Sequence, residues 1–319
     1  MKAIVCTKYG PPEVLQLQDV EKPTPKNNEI CIKIHATSVT SSDCIVRGFK
    51  LPRWHPLRIM MGLVLGFGKP RNPILGMVAA GEVDSIGQDV KRFNIGEQVF
   101  AYTIKSSTKM RFGTYAQYIC IPEDWLVLPI PSNVSYEEAA AIPYGGELAL
   151  HFLRKGDIEN RKKVLIVGAS GTIGTTAVQL ARYFGAKVTG VCSTPNLELV
   201  RSLGAETVID YTKEDYSKRS ERYDLILDAV PLLVADSKRF KKQARSALAP
   251  KGKFISINNG SPTPNSDDLV LLKDLVESGK YKPVIDRSYP LEQIVEAHKY
   301  VETGHKKGNV VITVDHNKT

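Results

Sequence analysis

No apolar run in this 319-residue chain reaches the ~18–20 residues that would span a bilayer. The first ten residues, MKAIVCTKYG, lack the charged-then-apolar-then-small order of a signal peptide and alternate like a β-strand instead. Cysteine is scarce as well. Cys6, Cys31, Cys44, Cys120 and Cys192 are odd in number and scattered, with no C-x-x-C pair. That pattern speaks against a disulfide framework and a thiolate metal lobe, and it predicts a reducing, cytoplasmic setting. Zinc-finger spacing, a basic zipper and internal repeats are missing too. Lys and Arg exceed Asp and Glu by 43 to 34, but the excess is spread along the chain. It reads as a solvated surface, and no nucleic-acid partner is expected.

Apolar residues make up 42 %, enough for packed cores, and the length predicts two domains. Residues 1 to about 125 read as short strands and turns without long helical periodicity, apart from one apolar stretch. Ile30–His35 alternates apolar and polar, and Gly81–Ile86 and Gln98–Tyr102 are further strands. From about 160 the texture changes to strand then helix, repeated. Lys163–Val167 is a continuous apolar run, as expected of a strand buried on both faces. Ile173, Ala177, Leu180, Ala181 and Phe184 then form one helical stripe, closed by Gly185. Lys187–Val191, Thr207–Ile209, Leu225–Ala229 and Gly252–Ile257 are predicted strands, with a helix over Pro195–Leu203. Helices follow over Asp267–Ser278 and Pro290–Glu302, and Asn309–Val314 is the closing strand. Strands alternating with helices imply a doubly wound, Rossmann-type parallel sheet.

Between the buried strand and the amphipathic helix lies Gly168-Ala169-Ser170-Gly171-Thr172-Ile173-Gly174. Small residues there let a backbone approach a pyrophosphate, and the helix N-terminus offers N–H groups and a partial positive charge. Gly174 permits close helix–strand packing. A tight turn with no ligand is the plainer alternative. An acid roughly 20 positions on would bind the ribose of NAD. The second strand ends instead Val191-Cys192-Ser193-Thr194-Pro195, with no carboxylate. An acid there would repel a 2′-phosphate by roughly 4 kcal/mol at ~4 Å and an effective dielectric of ~20. Its absence favours NADPH, with Ser193 and Thr194 as donors. No Arg or Lys stands in the loop either, so the preference over NADH is expected to be modest. Lys213 is a candidate for the missing charge.

At this point the chain resembles the medium-chain dehydrogenase/reductase superfamily, in its zinc-independent, zeta-crystallin-like quinone oxidoreductase branch. The likeness runs from Met1-Lys2-Ala3-Ile4 and Tyr9-Gly10-Pro11-Pro12 through Gly76–Gly81, Phe93–Val99 and Gly113–Tyr118. It continues through Glu137–Ala141, the glycine turn, Ser202-Leu203-Gly204-Ala205 and Gly308-Asn309-Val310-Val311. The resemblance implies a GroES-like catalytic domain over 1–125, completed by 285–319, and a Rossmann dinucleotide-binding domain over 126–284. It implies coenzyme contacts at Ser170, Gly171, Thr172, Ile173, Ser193, Tyr211, Val230 and Asn309. Tyr211 is read equally well as a strand-end aromatic. Zinc ligands of the metal-dependent relatives fall on Thr40, on Gly76-Met77-Val78 and on Ile142-Pro143-Tyr144-Gly145. None supplies Cys, His or a carboxylate, so no metal is expected.

The chain also departs from its relatives. Glu147-Leu148-Ala149 replaces a Leu-Thr-Ala run, so a hydroxyl near the nicotinamide is lost and a carboxylate stands beside it. Pro231 follows Val230 where Gly is common. About ten residues separate Ile257 from Asp267, too few for a strand and a crossover. A shortened sheet follows, and with it a monomer or an atypical homodimer, since the family's usual dimer pairs those last strands. Trp54–Phe67, flanked by Arg53, Lys69 and Arg71, is an apolar insertion that reads as a packed helix, a pocket wall or a membrane contact. Without a metal to polarise a carbonyl, suitable substrates are small electrophiles already activated: quinones and carbonyl-conjugated alkenes. Tyr144 and Ser42 are the candidate catalytic proton donors, with water as the alternative source. A metal-free alcohol or carbonyl oxidoreductase, and a dinucleotide-binding interaction protein with little turnover, are the alternatives.

Overall fold

The computed structural model describes every residue except 50–55, 107, 108, 232, 233, 235, 261 and 317–319. The early strands are β1 (Lys2–Cys6), β2 (Leu15–Asp19), β3 (Glu29–Val39), β4 (Val78–Ile86), β5 (Gln98–Tyr102), β6 (Tyr118–Pro122) and β7 (Leu126–Pro129). They are followed by β8 (Lys163–Val167), β9 (Lys187–Cys192), β10 (Thr207–Asp210), β11 (Tyr223–Asp228) and β12 (Leu248–Ser256). The last are β13 (Ile285–Pro290) and β14 (Asn309–Thr313). The helices are α1 (Ser41–Gly48), α2 (Pro56–Leu65), α3 (Tyr136–Ala140), α4 (Pro143–Lys155) and α5 (Thr172–Tyr183). After them come α6 (Leu197–Ser202), α7 (Ser237–Ser246), α8 (Ser266–Glu277) and α9 (Ile294–Glu302).

Two units cluster separately. One comprises Met1–Pro143, Ile285–His305 and Asn309–Thr319; the other comprises Tyr144–Val284 and Lys306–Gly308. Residues 126–143 thus go with the first unit, and the short segment before β14 goes with the second.

The first unit is built on a seven-stranded sheet in the order β13-β14-β3-β4-β5-β7, with β6 also paired to β3. Its core is apolar residues of alternating strands, among them Ile30, Ile32 and Ile34 of β3, Val99 and Ala101 of β5, and Val310 and Ile312 of β14. These are every second residue of one sheet face, and the residues between them, such as Cys31, Phe100 and Val311, are buried as well. The region also holds a helix that periodicity does not reveal. Thr40 and Asp43 form a capping box that starts α1, and Phe49 closes it in the left-handed conformation at φ 46°. Of the apolar insertion, Arg53, Trp54 and His55 lie outside the described residues. Its remainder forms α2, whose Val64 and Leu65 line a cavity of about 240 Å³ while Ile59 and Leu63 face solvent.

The second unit carries a five-stranded sheet in the order β10-β9-β8-β11-β12, parallel at every pairing. No sixth strand follows β12 among the described residues, in line with the short connection before α8. Residues Thr172–Ala181 of α5 are all buried, matching a helix laid along a parallel sheet. The helix expected over Pro195–Leu203 is instead a 3₁₀ turn, Thr194–Asn196, leading into α6, because Pro195 suits only a first turn. A 3₁₀ turn at Leu291–Gln293 likewise precedes α9. β12 is an edge strand whose Pro250, Lys251 and Lys253 are exposed, residues that discourage a second sheet from adding there.

Candidate dinucleotide site

The glycine turn stands at the end of β8, where the strand's backbone must reverse into α5. Gly168 takes φ +78°, a left-handed conformation that favours glycine. The N–H groups of Gly168 and Ala169 both donate to Val191 O, at 3.1 and 3.0 Å, which fixes the turn to the end of β9. A Cβ on Gly174 would lie 2.1 Å from Gly168 O, so only glycine lets α5 begin this close to the turn. Gly171 is the N-cap of α5 and brings no side chain to cap it. The first-turn N–H groups are therefore left to an external acceptor, which at the positive end of a helix is best an anion.

A third limb closes the turn from the far end of the chain. Gly308 N donates to Ser170 O at 2.8 Å, and Thr172 Oγ1 donates to Gly308 O at 2.7 Å. Lys306 Nζ donates to Thr172 Oγ1 and, at 2.6 Å, to Gly308 O. An ammonium group at a helix N-terminus opposes the dipole, and its charge adds to the positive end of α5. Sequence reading missed Lys306; its only signal is a lysine pair just before Gly308.

The expected contact residues sort clearly. Ser170, Gly171, Thr172 and Ile173 form the turn and the first residues of α5. Ser193 follows β9 and is linked to Ser170 by Asn196, whose Nδ2 donates to Ser170 Oγ at 3.1 Å and Ser193 Oγ at 3.2 Å. Val230 is buried within 3.2 Å of where a Gly168 Cβ would stand, and its N–H donates to Asp228 Oδ1. Tyr211 packs edge-on against Phe240, with ring centroids 4.7 Å apart. Asn309 opens β14 in the first unit, nearly fully buried. Of the candidate proton donors, Ser42 lies half-buried in α1 of the first unit and Tyr144 lies buried in the first turn of α4.

One sequence expectation needs correction. No acid follows β9 in sequence, yet Asp210 at the end of the neighbouring β10 reaches the same loop. Thr194 Oγ1 donates to Asp210 Oδ2 at 2.5 Å, and Thr212 donates to Asp210 Oδ1 through both N–H and hydroxyl. Thr194 thus spends its proton inside the protein. Lys213 Nζ stands 4.0 Å from the same carboxylate, so it pairs with Asp210.

Glycines also let α4 approach its neighbours. Cβ atoms on Gly145 and Gly146 would meet Thr172 at 3.0 Å and Leu272 at 2.4 Å. The next residue, Glu147, is nearly fully buried; its Oε2 accepts the Asn265 N–H at 3.0 Å while Oε1 has no partner. Burial drives its pKa up to about 7, against the lowering effects of the Asn265 N–H and of Arg154. At the positions where relatives hold zinc, Thr40 donates its hydroxyl to Asp43 Oδ2 at 2.6 Å, and Met77 and Val78 are apolar. This donor set does not fit a catalytic zinc, which needs three N, S or O ligands.

Comparison with known proteins adds to this geometry. The alcohol dehydrogenase GroES-like domain family matches residues 26–132, and zinc-binding dehydrogenase families match 172–280 and 260–312. The chain is 31 % identical to an NADPH-dependent alkenal/one oxidoreductase of Arabidopsis thaliana, over 98 % of this chain and 79 % of that protein. It is 33 % identical to a 2-methylene-furan-3-one reductase of Solanum lycopersicum, with the same coverage. Among solved structures, a quinone oxidoreductase from Coxiella burnetii superimposes with TM-score 0.80 and 28 % identity, covering 99 % of both chains.

Proposed function

Because the chain belongs to the medium-chain dehydrogenase/reductase superfamily, in its quinone oxidoreductase-like branch, we infer that it is an NADPH-dependent reductase of quinones or carbonyl-conjugated alkenes. The observation that carries this is the glycine turn, whose tight Gly168–Gly174 approach, uncapped helix and Lys306 together form an anion cradle. The reduced coenzyme supplies a hydride when bound. The chain's own residues hold it: Ser170, Gly171, Thr172 and Ile173 at the pyrophosphate, Ser193 at the ribose, with Val230, Tyr211 and Asn309 as further contacts. Reduction of an enone then needs one proton on the resulting enolate, and reduction of a quinone needs one proton on the resulting quinol monoanion. Tyr144 and Ser42 are assigned that delivery.

No step is routed through zinc. Thr40 and Met77-Val78 provide no ligand set, so substrates must arrive already polarised. Purified protein should carry no stoichiometric zinc and should keep its activity in chelator; one zinc per chain with chelator-sensitive turnover contradicts this. The five described cysteines are all buried and free, which suits a reducing compartment such as the cytoplasm. No helix among the described residues is long and apolar enough to cross a membrane. The guarded β12 edge supports a monomer, or a dimer that does not pair this edge; light scattering tests it.

The direct test is NADPH oxidation by purified protein across quinones, enones and aldehydes. Turnover with quinones or enones is expected. Turnover restricted to alcohols or aldehydes would move the protein to the alcohol and carbonyl oxidoreductases. Tight NADPH binding with no turnover would make it an interaction protein.

A further inference from the structure

We propose that Asn196 is a positioning residue that turns the hydroxyls of Ser170 and Ser193 into donors for the coenzyme. These neutral groups then stand in for the cation that the loop after β9 lacks. The proposal rests on the coenzyme reading above and adds a specificity mechanism to it.

Asn196 is 6 % exposed, and its side-chain amide nitrogen reaches both serine oxygens, at 3.1 and 3.2 Å. An amide nitrogen carries two hydrogens, so both are used. Each serine oxygen, having accepted, keeps its own O–H free to donate elsewhere. The opposite amide orientation would bury two N–H donors without acceptors and would consume both hydroxyls, so the present one is favoured. The backbone adds to the latch, since Asn196 N donates to Ser193 O at 2.9 Å.

Two further observations point outward. Asn196 Oδ1 is buried and has no partner in the protein, which leaves an acceptor for an incoming hydroxyl or a water. Thr194, the other hydroxyl in the loop, already donates to Asp210 at 2.5 Å and is unavailable. Ser193 is therefore the hydroxyl that meets the ribose 2′ position, and Ser170 is the one nearer the pyrophosphate. A hydroxyl can serve either a 2′-phosphate or a 2′-hydroxyl, so the chain should favour NADPH over NADH only modestly.

The test is coenzyme affinity by fluorescence titration of purified wild type, Asn196→Asp, Asn196→Ala and Ser193→Ala, with NADPH and NADH in parallel. Asn196→Asp keeps the shape but accepts where Asn donates, so it captures both serine protons and adds a negative charge. It should weaken NADPH by roughly a hundredfold and NADH by much less, narrowing or reversing the preference. Asn196→Ala should weaken both coenzymes by roughly tenfold. If both Asn196 variants fail to fold, Ser193→Ala still decides: it should lower NADPH affinity several-fold more than NADH affinity. Unchanged NADPH-to-NADH affinity ratios in a folded Asn196→Asp, or in Ser193→Ala when the Asn196 variants do not fold, overturn the proposal. Failure of the wild type to bind either coenzyme would overturn the function itself.

Discussion

Each unit holds a polar cluster, and the two differ in kind. In the first, Arg47 of α1 is wholly buried and pairs with Glu302 of α9, while Cys44 Sγ meets His298 Nδ1 at 3.4 Å. Asp43, fully buried, accepts from Thr40 through both its N–H and its hydroxyl. These are formal charges and imidazole locked between two helices, with Arg47 Nε and Nη1 and His298 Nε2 left without hydrogen-bond partners. In the second unit the cluster is neutral: Ser170, Asn196 and Ser193 at the lip of the glycine turn. In the first cluster buried charge fastens two helices; in the second a buried amide ties together two half-buried serines, the proposed contacts of a charged ligand.

The largest expected effect breaks the first cluster. Arg47→Ala removes a wholly buried side chain and opens a void between α1 and α9, costing roughly 2–5 kcal/mol of stability. Denaturant unfolding measures it, and the coenzyme affinity of the folded fraction should not change. A loss of that affinity would erase the distinction between the two clusters.

The pH response separates the units next. Burial, with Arg47 nearby, lowers His298 to about 3, so the native state holds it neutral. Its contribution is complete above pH ~6.5 and is lost as pH falls toward 3. Glu147 behaves in the opposite sense. With its native value raised to about 7 against 4.5, its contribution is complete below pH 4.5 and is lost as pH rises through 7. Glu147→Gln should therefore stabilise the protein by up to about 3 kcal/mol at pH 9 and by almost nothing at pH 4. Melting temperatures of the variant and wild type across that range check this; equal curves would refute it.

A smaller effect sharpens the reading of the turn. Lys306→Ala removes the cation beside Thr172 and should weaken NADPH and NADH equally, by about tenfold. An equal loss separates a group acting on the shared pyrophosphate from Ser193, the proposed ribose contact. A loss confined to NADPH would move Lys306 to the 2′-phosphate.

Much of this architecture is legible in the residues. Lys163–Val167 matches β8 residue for residue, and the stripe from Ile173 to Ala181 marks α5, because strong periodicity survives any tertiary context. Other elements hide for physical reasons. α1 is short, and its signal is the capping box Thr40-Ser41-Ser42-Asp43 rather than a stripe. α4 carries Gly145 and Gly146, poor helix formers that close packing requires. α7 is largely basic and polar, with only Phe240 and Ala244 buried. At the site, the turn and Ser193 can be named as candidates from the residues alone. Asn196 could not, since it joins the turn after β8 to the loop after β9, and Asp210 could not, since it meets that loop only when β9 and β10 lie side by side.

Every role proposed for the second unit depends on coenzyme docking at the glycine turn. Titrating NADPH into wild type and Gly174→Val while following intrinsic fluorescence and thermal stability tests it. Wild type should saturate and melt at a higher temperature. The variant, whose Cβ would lie 2.1 Å from Gly168 O, should show neither response. A wild type indifferent to NADPH, or a variant that binds equally well, would contradict it.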